Sequence, residues 1–348
     1  MKILSDLSVD ELKTLVEGYG EKSYRAAQIF RAECMGQKIS EMTELSKSFR
    51  EKLLETYVDE PVKIIKRLVS KDGTEKYLLE LHDGNIVEGV YMKNDYGNTE
   101  CLSTQVGCRM GCAFCASGIG GLVRNLSAGE MLFTVAAVNK LNGGNLQKRS
   151  VTNLVLMGSG EPLDNYDETV KFLRLLSDKN GLNVSLRNVS LSTCGLADRI
   201  VKFANENLPV NMTVSLHAAT DEKRKKIMPV ANAYKITDIL AALDYYFDKT
   251  GRRYIFEYSL IAGVNDDFSS ADDLIKILRR RPCHVNLIRL NEVKEKNLSG
   301  TSDKRAYAFC DYLVKNGLSA TVRRLNGADI DGACGQLRRD FIKNEEKN

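Results

Sequence analysis

The chain has no stretch of about 18 or more apolar residues, so nothing in it reads as a membrane-spanning helix. Its first residues, MKILSDLSVDEL, lack the long apolar segment of a secretory signal, which leaves the cytoplasm as the expected location. It has no low-complexity linker and no sequence repeat. It has no polycationic tail, and its net charge is only +4. Its nine cysteines form an odd, uneven set that does not fit a disulfide scaffold. What remains is a globular composition, with 43% apolar and 28% charged residues in 348. That length suits one large domain or a large domain with a small satellite.

Basic residues gather locally at Lys223–Lys226, Arg252–Arg253, Arg279–Arg281, Arg323–Arg324 and Arg338–Arg339. Such clusters fit a phosphate-binding surface and fit solvated helix faces and loop ends equally well. Residues 1–60 read as helical, with Leu7, Leu12 and Leu15, a basic segment Lys22–Arg31, and Phe49–Tyr57. Residues 61–97 change character: apolar and polar residues alternate around Asp72-Gly73 and Asp83-Gly84, as in a small antiparallel sheet.

From residue 98 onward, short apolar runs alternate with amphipathic stretches. Strands are expected at 101–106, 151–157, 187–193, 210–216, 253–261, 284–290 and 319–324. Helices are expected at 127–141, 167–178, 196–206, 236–248, 270–280 and 302–315. This is an α/β pattern with a parallel sheet, either a barrel or an open doubly wound sheet. Polar and glycine-rich residues fall where the runs end: Gly158–Glu161, Ser192–Gly195, Ser215–His217 and Asn291. In parallel β/α folds the site lies at the carboxyl ends of the strands, so these groups should converge on one face.

The first run leads into Cys108-Arg-Met-Gly-Cys112-Ala-Phe-Cys115. Three closely spaced thiolates can hold three irons of a cubane and leave the fourth open to a small ligand. A structural zinc wants four closed ligands, and Cys101 could supply the fourth. A Cys112–Cys115 redox pair would leave Cys108 unused.

The C-x3-C-x2-C loop, with Phe114 before its last cysteine, resembles the radical S-adenosylmethionine superfamily. Longer segments resemble the RlmN family of adenine-C2 RNA methyltransferases: Cys101-Leu-Ser-Thr-Gln-Val-Gly-Cys108, Gly121-Leu-Val-Arg-Asn-Leu126 with Glu130, and Met157-Gly-Ser-Gly-Glu-Pro-Leu163. So do Ser215-Leu-His217, Ile227-Met-Pro229, Gly263-Val-Asn-Asp266 and Asp329-Ile-Asp-Gly-Ala-Cys334-Gly-Gln-Leu337. The likeness runs from about residue 20 to 340.

This resemblance implies a partial (β/α)6 barrel over 98–348, a helical RNA-binding accessory domain over 1–60 and a small β region between. It implies a [4Fe–4S] cluster on Cys108, Cys112 and Cys115, and S-adenosylmethionine used twice per turnover. Gly160, Glu161, Ser192, Ser215, Leu216, His217 and Asn291 match the family's contacts to that cofactor. A carboxylate at Glu161 suits an ammonium, and a neighbouring glycine lets backbone come close.

Carbon 2 of adenine is not nucleophilic, and the family's route is implied for Cys334 and Cys101. Cys334 takes a methyl by displacement, a 5′-deoxyadenosyl radical removes one of its hydrogens, and the methylene radical adds to carbon 2. Glu88 matches the proposed proton acceptor. Attack by Cys101 then frees the product and leaves a Cys101–Cys334 disulfide for a thiol donor to reset. The implied partners are 23S rRNA before full assembly, tRNA, a cytosolic electron donor and a thiol reductant. The chain is expected to act as a monomer with no membrane partner.

Ser159 and Cys194 depart from the family's usual residues. Carbon-8 methylation, as in the Cfr group, is the nearest rival, and Pro162 favours the RlmN side. A non-catalytic zinc-containing RNA-binding protein is the rival from another class. It leaves Cys334 and the strand-end motifs without a role. Sulfur insertion usually wants a second cluster, and the chain has no second cysteine group. Cys34, Cys194, Cys283 and Cys310 sit in apolar or helical settings and read as structural.

Overall fold

A computed structural model of the chain describes residues 1–290 and 296–330. Three helices come first: α1 (Val9–Gly18), α2 (Arg25–Cys34) and α3 (Lys47–Leu54). Ser8 starts α1 with a reciprocal cap: its hydroxyl accepts the Glu11 N–H at 3.3 Å, and its own N–H donates to the Glu11 carboxylate at 2.8 Å. Leu12 and Val16 of α1 and Ile29 and Phe30 of α2 are buried, in the same apolar core that fills the rest of the molecule.

Strands β1 (Val62–Val69), β2 (Glu75–Leu81) and β3 (Ile86–Met92) form the expected antiparallel meander. It does not stand apart. Val90–Met92 of β3 pair with β4 (Thr99–Cys101), so the meander is the edge of one ten-stranded sheet. The run read as a single strand over 101–106 is broken. At Leu102 the chain leaves the sheet, and β5 (Gln105–Gly107) pairs instead with β6 (Leu122–Asn125). The cause is a close approach by the next strand end. The Gly158 N–H donates to the Leu102 carbonyl at 3.0 Å and the Thr104 N–H to the Ser159 carbonyl at 2.8 Å.

From β4 the order continues through β7 (Asn153–Leu156), β8 (Val189–Thr193), β9 (Asn211–Ser215), β10 (Tyr254–Leu260), β11 (Cys283–Arg289) and β12 (Ala320–Val322). Every pairing from β4 to β12 is parallel. A doubly wound sheet reverses its strand order at a switch point. This one never does, and residues from the ends of its strands face one another across shared cavities. It is a curled, incomplete barrel.

The crossover helices are α4 (Ala128–Leu141), α5 (Tyr166–Leu176), α6 (Ala197–Ala204), α7 (Asp221–Ile227), α8 (Ile236–Thr250), α9 (Phe268–Leu278) and α10 (Asp303–Lys315). Helix α4 is buried almost all round, because it lies between the barrel and the N-terminal helices. The Asp6 carboxylate accepts the Gly129 N–H at 2.6 Å at its first turn. Sequence patterning did not anticipate α7, since its one turn of Lys223–Lys226 carries no apolar period.

Candidate functional site

A cavity of about 240 Å³ opens at the carboxyl ends of the parallel strands. Cys108, Cys112, Cys115, Gly160, Glu161, Ser192, Ser215 and His217 all line it. Leu216 does not; its side chain enters the core. Asn291 and Cys334 lie outside the described residues.

The cysteine loop hangs from the β5–β6 hairpin and rests on α7. The Cys108 N–H donates to the Gly121 carbonyl at 2.9 Å, and the Ala113 N–H to the Ile227 carbonyl at 2.8 Å. Burial pushes the Cys108 thiol up to about 11, with Cys115 and Glu161 adding to it, and the Cys112 thiol up to about 12, with Cys115 and Cys108 adding. A metal would reverse that direction by binding the thiolates. Among the described residues, no three Cys, His, Asp or Glu side chains are gathered closely enough for a single ion. A structural zinc needs four ligands around one point. Three thiols around one cavity, with Cys112 under the influence of both of the others, fit a cubane that offers its irons at separate corners.

Glu161 is only 3% exposed. One carboxylate oxygen accepts the Cys194 N–H at 2.6 Å and the other the Leu163 N–H at 3.0 Å. Burial raises this carboxyl and the backbone donors oppose the rise. A cation arriving beside it would restore the charge balance. Gly160 has φ +112, and a Cβ there would meet Gln105 Cβ and Thr104 Oγ1, each at 2.7 Å, so only glycine fits against the β5 entry.

His217 sits at a left-handed φ of 54°. Its Nδ1 accepts the Ser259 N–H at 2.9 Å, so the ring proton resides on Nε2. Burial pulls the imidazole down to about 3, with Arg224 adding to the effect, so the ring is neutral. Asn265 holds its backbone, donating to the His217 carbonyl at 2.7 Å and the Ser259 carbonyl at 2.8 Å. The Phe114 ring meets His217 edge-on at 4.5 Å, which joins the cysteine loop to the end of β9.

A second cavity of about 740 Å³ lies toward the amino ends of the same strands. Met157, Glu257 and Arg323 line both cavities. Cys101 is buried beside Val155 and Met157 at the boundary, packed with Val90 and Met92. Glu88 is two residues from Val90 on β3 and so shares its face of the sheet with Val90 and Cys101. Glu88 forms a buried ion pair with Lys76 of β2 at 3.5 Å.

The departures from the family pattern have plain settings. The Ser159 hydroxyl meets that of Ser117, just after the cysteine loop, at 3.2 Å. Cys194 lines the upper cavity, whereas Cys34, Cys283 and Cys310 are buried in the core. Among the basic residues, Lys22 and Arg31 are exposed. Arg25 is tied to Gln28 at 2.9 Å and to the Glu44 carbonyl. Sequence reasoning missed Lys76, Arg224 and Glu257. Arg224 sits in a charged run that reads as solvated, Lys76 in an alternating strand whose polar positions read as outward, and Glu257 inside an apolar strand.

Residues 102–276 match the radical SAM superfamily model, and residues 3–58 match the ribosomal RNA large subunit methyltransferase N-terminal domain. The chain is 46% identical to a probable dual-specificity RNA methyltransferase RlmN from Lachnospira eligens, over 100% of this chain and 99% of the relative. It is 48% identical to the protein of the same name from Clostridium perfringens strain 13, over 99% of both. The fold matches a crystal structure of a radical SAM methyltransferase from Sphaerobacter thermophilus with a TM-score of 0.92 and 39% identity, covering 97% of this chain and 99% of that one.

Proposed function

The chain belongs to the RlmN family of the radical S-adenosylmethionine superfamily, and on that premise we propose that it methylates carbon 2 of an adenine in 23S rRNA and in tRNA. The observation that carries this reading is one continuous arrangement: three loop cysteines, Glu161, Ser192, Ser215 and His217 line the upper cavity, and Cys101 packs behind Met157, which lines both cavities.

When bound, the [4Fe–4S] cluster supplies the electron that cleaves one S-adenosylmethionine. The chain's residues do the rest. Cys108, Cys112 and Cys115 hold the cluster. Glu161 receives the cofactor's ammonium, and its two backbone donors keep the carboxylate aimed. Ser192 and Ser215 offer hydroxyls, and His217 offers a neutral Nε2–H donor. Asn291 completes the set. Cys334, as its thiolate, displaces the methyl from the sulfonium; one hydrogen atom of that methyl leaves to the 5′-deoxyadenosyl fragment of the second S-adenosylmethionine, and the methylene left on the Cys334 sulfur bonds to carbon 2 of the base. Glu88 takes the carbon-2 proton, with Lys76 as its counter-charge. Cys101 attacks the Cys334 sulfur, the sulfur–carbon bond to the product breaks, and a thiol reductant reopens the disulfide. Lys22 and Arg31 stand exposed for RNA phosphates, and the target base leaves its stack to reach the cavity.

The test uses anaerobically purified, reduced protein, S-adenosylmethionine with a deuterated methyl, and protein-free ribosomal RNA. Nucleosides are read by mass spectrometry. The expected product is 2-methyladenosine with two deuteriums from the donor, and none from Cys334→Ala. Exclusive 8-methyladenosine overturns the regiochemistry. A colourless zinc protein with no product overturns the cluster.

A further inference from the structure

Arg224 is 0% exposed and has no carboxylate in ion-pair reach among the described residues. Its guanidinium spends its donors on backbone carbonyls: Nη2 to Cys194 at 2.5 Å and Ser215 at 3.5 Å, Nε to Leu216 at 3.2 Å, and Nη1 to Tyr234 at 3.3 Å. Cys194 follows β8, and Ser215 and Leu216 end β9. One side chain therefore ties two strand ends that carry cofactor-facing groups. Gly195 makes room for it, since a Cβ there would meet Arg224 Nη2 at 3.2 Å and Ile239 Cδ1 at 2.6 Å.

The acid that acts on this charge is Asp221, whose carboxylate accepts the Ile236 N–H at 2.8 Å. The other groups that act on Arg224 are the thiols of Cys112 and Cys194. Of the other cations near the cysteine loop, Arg109 pairs with Asp164 and Lys223 turns outward to Ser270 and Asp267, while Arg323, which lines the cavity, acts on Glu257 and meets the Met157 sulfur at 3.9 Å. A buried guanidinium stays charged, and a charge in a dry setting acts strongly on its neighbours.

We propose that Arg224 is a positioning residue of the cofactor end, fixing the strand-end carbonyls for S-adenosylmethionine and supplying the positive charge that favours the reduced cluster. The proposal rests on the reading that Cys108, Cys112 and Cys115 carry a [4Fe–4S] group. Reduction adds one electron from a low-potential donor, taking the cluster from its 2+ to its 1+ state. A nearby cation favours the more negative form, because net charge is among the determinants of cluster potential. Arginine is required for the carbonyl contacts, since its planar fork reaches several acceptors that a lysine's single ammonium cannot.

The experiment reconstitutes wild type, Arg224→Lys and Arg224→Gln, and measures iron per chain, the cluster's reduction by potentiometric titration followed by electron paramagnetic resonance, and S-adenosylmethionine affinity. In Arg224→Gln the reduction equilibrium should shift about tenfold toward the oxidised form, about 59 mV for one electron. Arg224→Lys should keep the wild-type reduction within about threefold, and both variants should bind S-adenosylmethionine about tenfold more weakly. Arg224→Gln with full iron, wild-type potential and wild-type affinity overturns the proposal. If that variant does not fold, Arg224→Lys decides: wild-type affinity overturns it, and weakened affinity at unchanged potential upholds it. A wild-type chain that takes up no cluster fails the underlying reading before any variant is compared.

Discussion

The two cavities of the barrel are lined from the same strands, yet their polar groups are satisfied in different ways. In the upper cavity Glu161, His217 and the neighbouring Asn265 each have short hydrogen bonds that fix their direction. In the lower cavity Asn153, Ser190, Asn211, Thr213, Asn286 and Thr321 stand beside Val155 and Ile255, where a barrel interior usually holds mostly branched apolar residues. There the Thr213 hydroxyl, and at the floor shared with the upper cavity one Glu257 oxygen, are buried without a hydrogen-bond partner among the described residues. The other Glu257 oxygen accepts from Asn286 at 3.1 Å. Pre-paired groups suit a small molecule that arrives in the same pose each time. Unpaired groups in a larger space cost stability until something joins them.

The sharpest way to break this contrast is to remove a thiolate from the upper cavity. Cys112→Ala should lose the iron of the reconstituted protein and with it all methyl transfer, at least about a thousandfold. Iron analysis and nucleoside mass spectrometry check it, and full iron retention in the variant would sink the ligand assignment. A smaller effect is expected from Glu161→Gln. The amide oxygen can still accept the Cys194 N–H, but the charge for an ammonium is gone. S-adenosylmethionine should bind about 10- to 100-fold more weakly, with the fold intact. The comparison change at the floor shared by the two cavities, Glu257→Gln, should leave that affinity within about threefold, because Glu257 is held by one side-chain donor, Asn286, and by no backbone N–H that fixes its direction among the described residues. Equal losses in both variants, read by calorimetry, would erase the distinction between the cavities.

Much of this architecture could be read from residues, and the limits have physical causes. Strands β7 to β11 fall within a few residues of the apolar runs, because the face of each strand that meets the helices is apolar even where the inward face is polar. The clustering of Glu161, Ser192, Ser215 and His217 followed from their places at strand ends. The break after β4 could not be read, since Leu102–Val106 is apolar enough for a strand, and only the approach of Gly158 and Ser159 turns it. Arg224 was hidden for a different reason. In Lys223–Lys226 all four residues look solvated, and the inward direction of one of them depends on how a seven-residue helix seats against β9.

Proton linkage gives the contrast a stability readout. His217 has a folded value of about 3, below the 6.5 of an unfolded histidine. The unfolded chain therefore takes up a proton first as pH falls. The stability that the neutral ring contributes is full above pH 6.5 and is lost on going down toward pH 3, by at most about 1.4 kcal/mol per pH unit. Glu100 on β4 runs the other way. It is fully buried, neither oxygen has a hydrogen-bond partner among the described residues, and burial raises it to about 8. Here the folded chain keeps a proton that the unfolded chain releases above its ordinary carboxyl value. Stability is full below pH 4.5 and falls as pH rises toward 8. Glu100→Leu should therefore stabilise by about 1–3 kcal/mol near pH 7.5 and by less at pH 5. Urea midpoints at the two pH values check this, and a gain independent of pH would mean that Glu100 is not the titrating group. The same titrations on His217→Gln should flatten the acid limb and leave the alkaline limb unchanged.

The smallest effect belongs to the exposed cations of the N-terminal helices. Lys22 and Arg31 are exposed, so Lys22→Glu with Arg31→Glu should leave the fold and the upper cavity untouched. If these residues meet RNA phosphates, affinity for protein-free ribosomal RNA should fall severalfold, and the slope of log affinity against log salt should shrink by about one for each phosphate no longer neutralised. Because S-adenosylmethionine binding in the absence of RNA should not change, the variant separates delivery of the base from chemistry on it. A salt slope equal to wild type would assign the RNA-binding role to other basic residues and leave α2 a packing role alone.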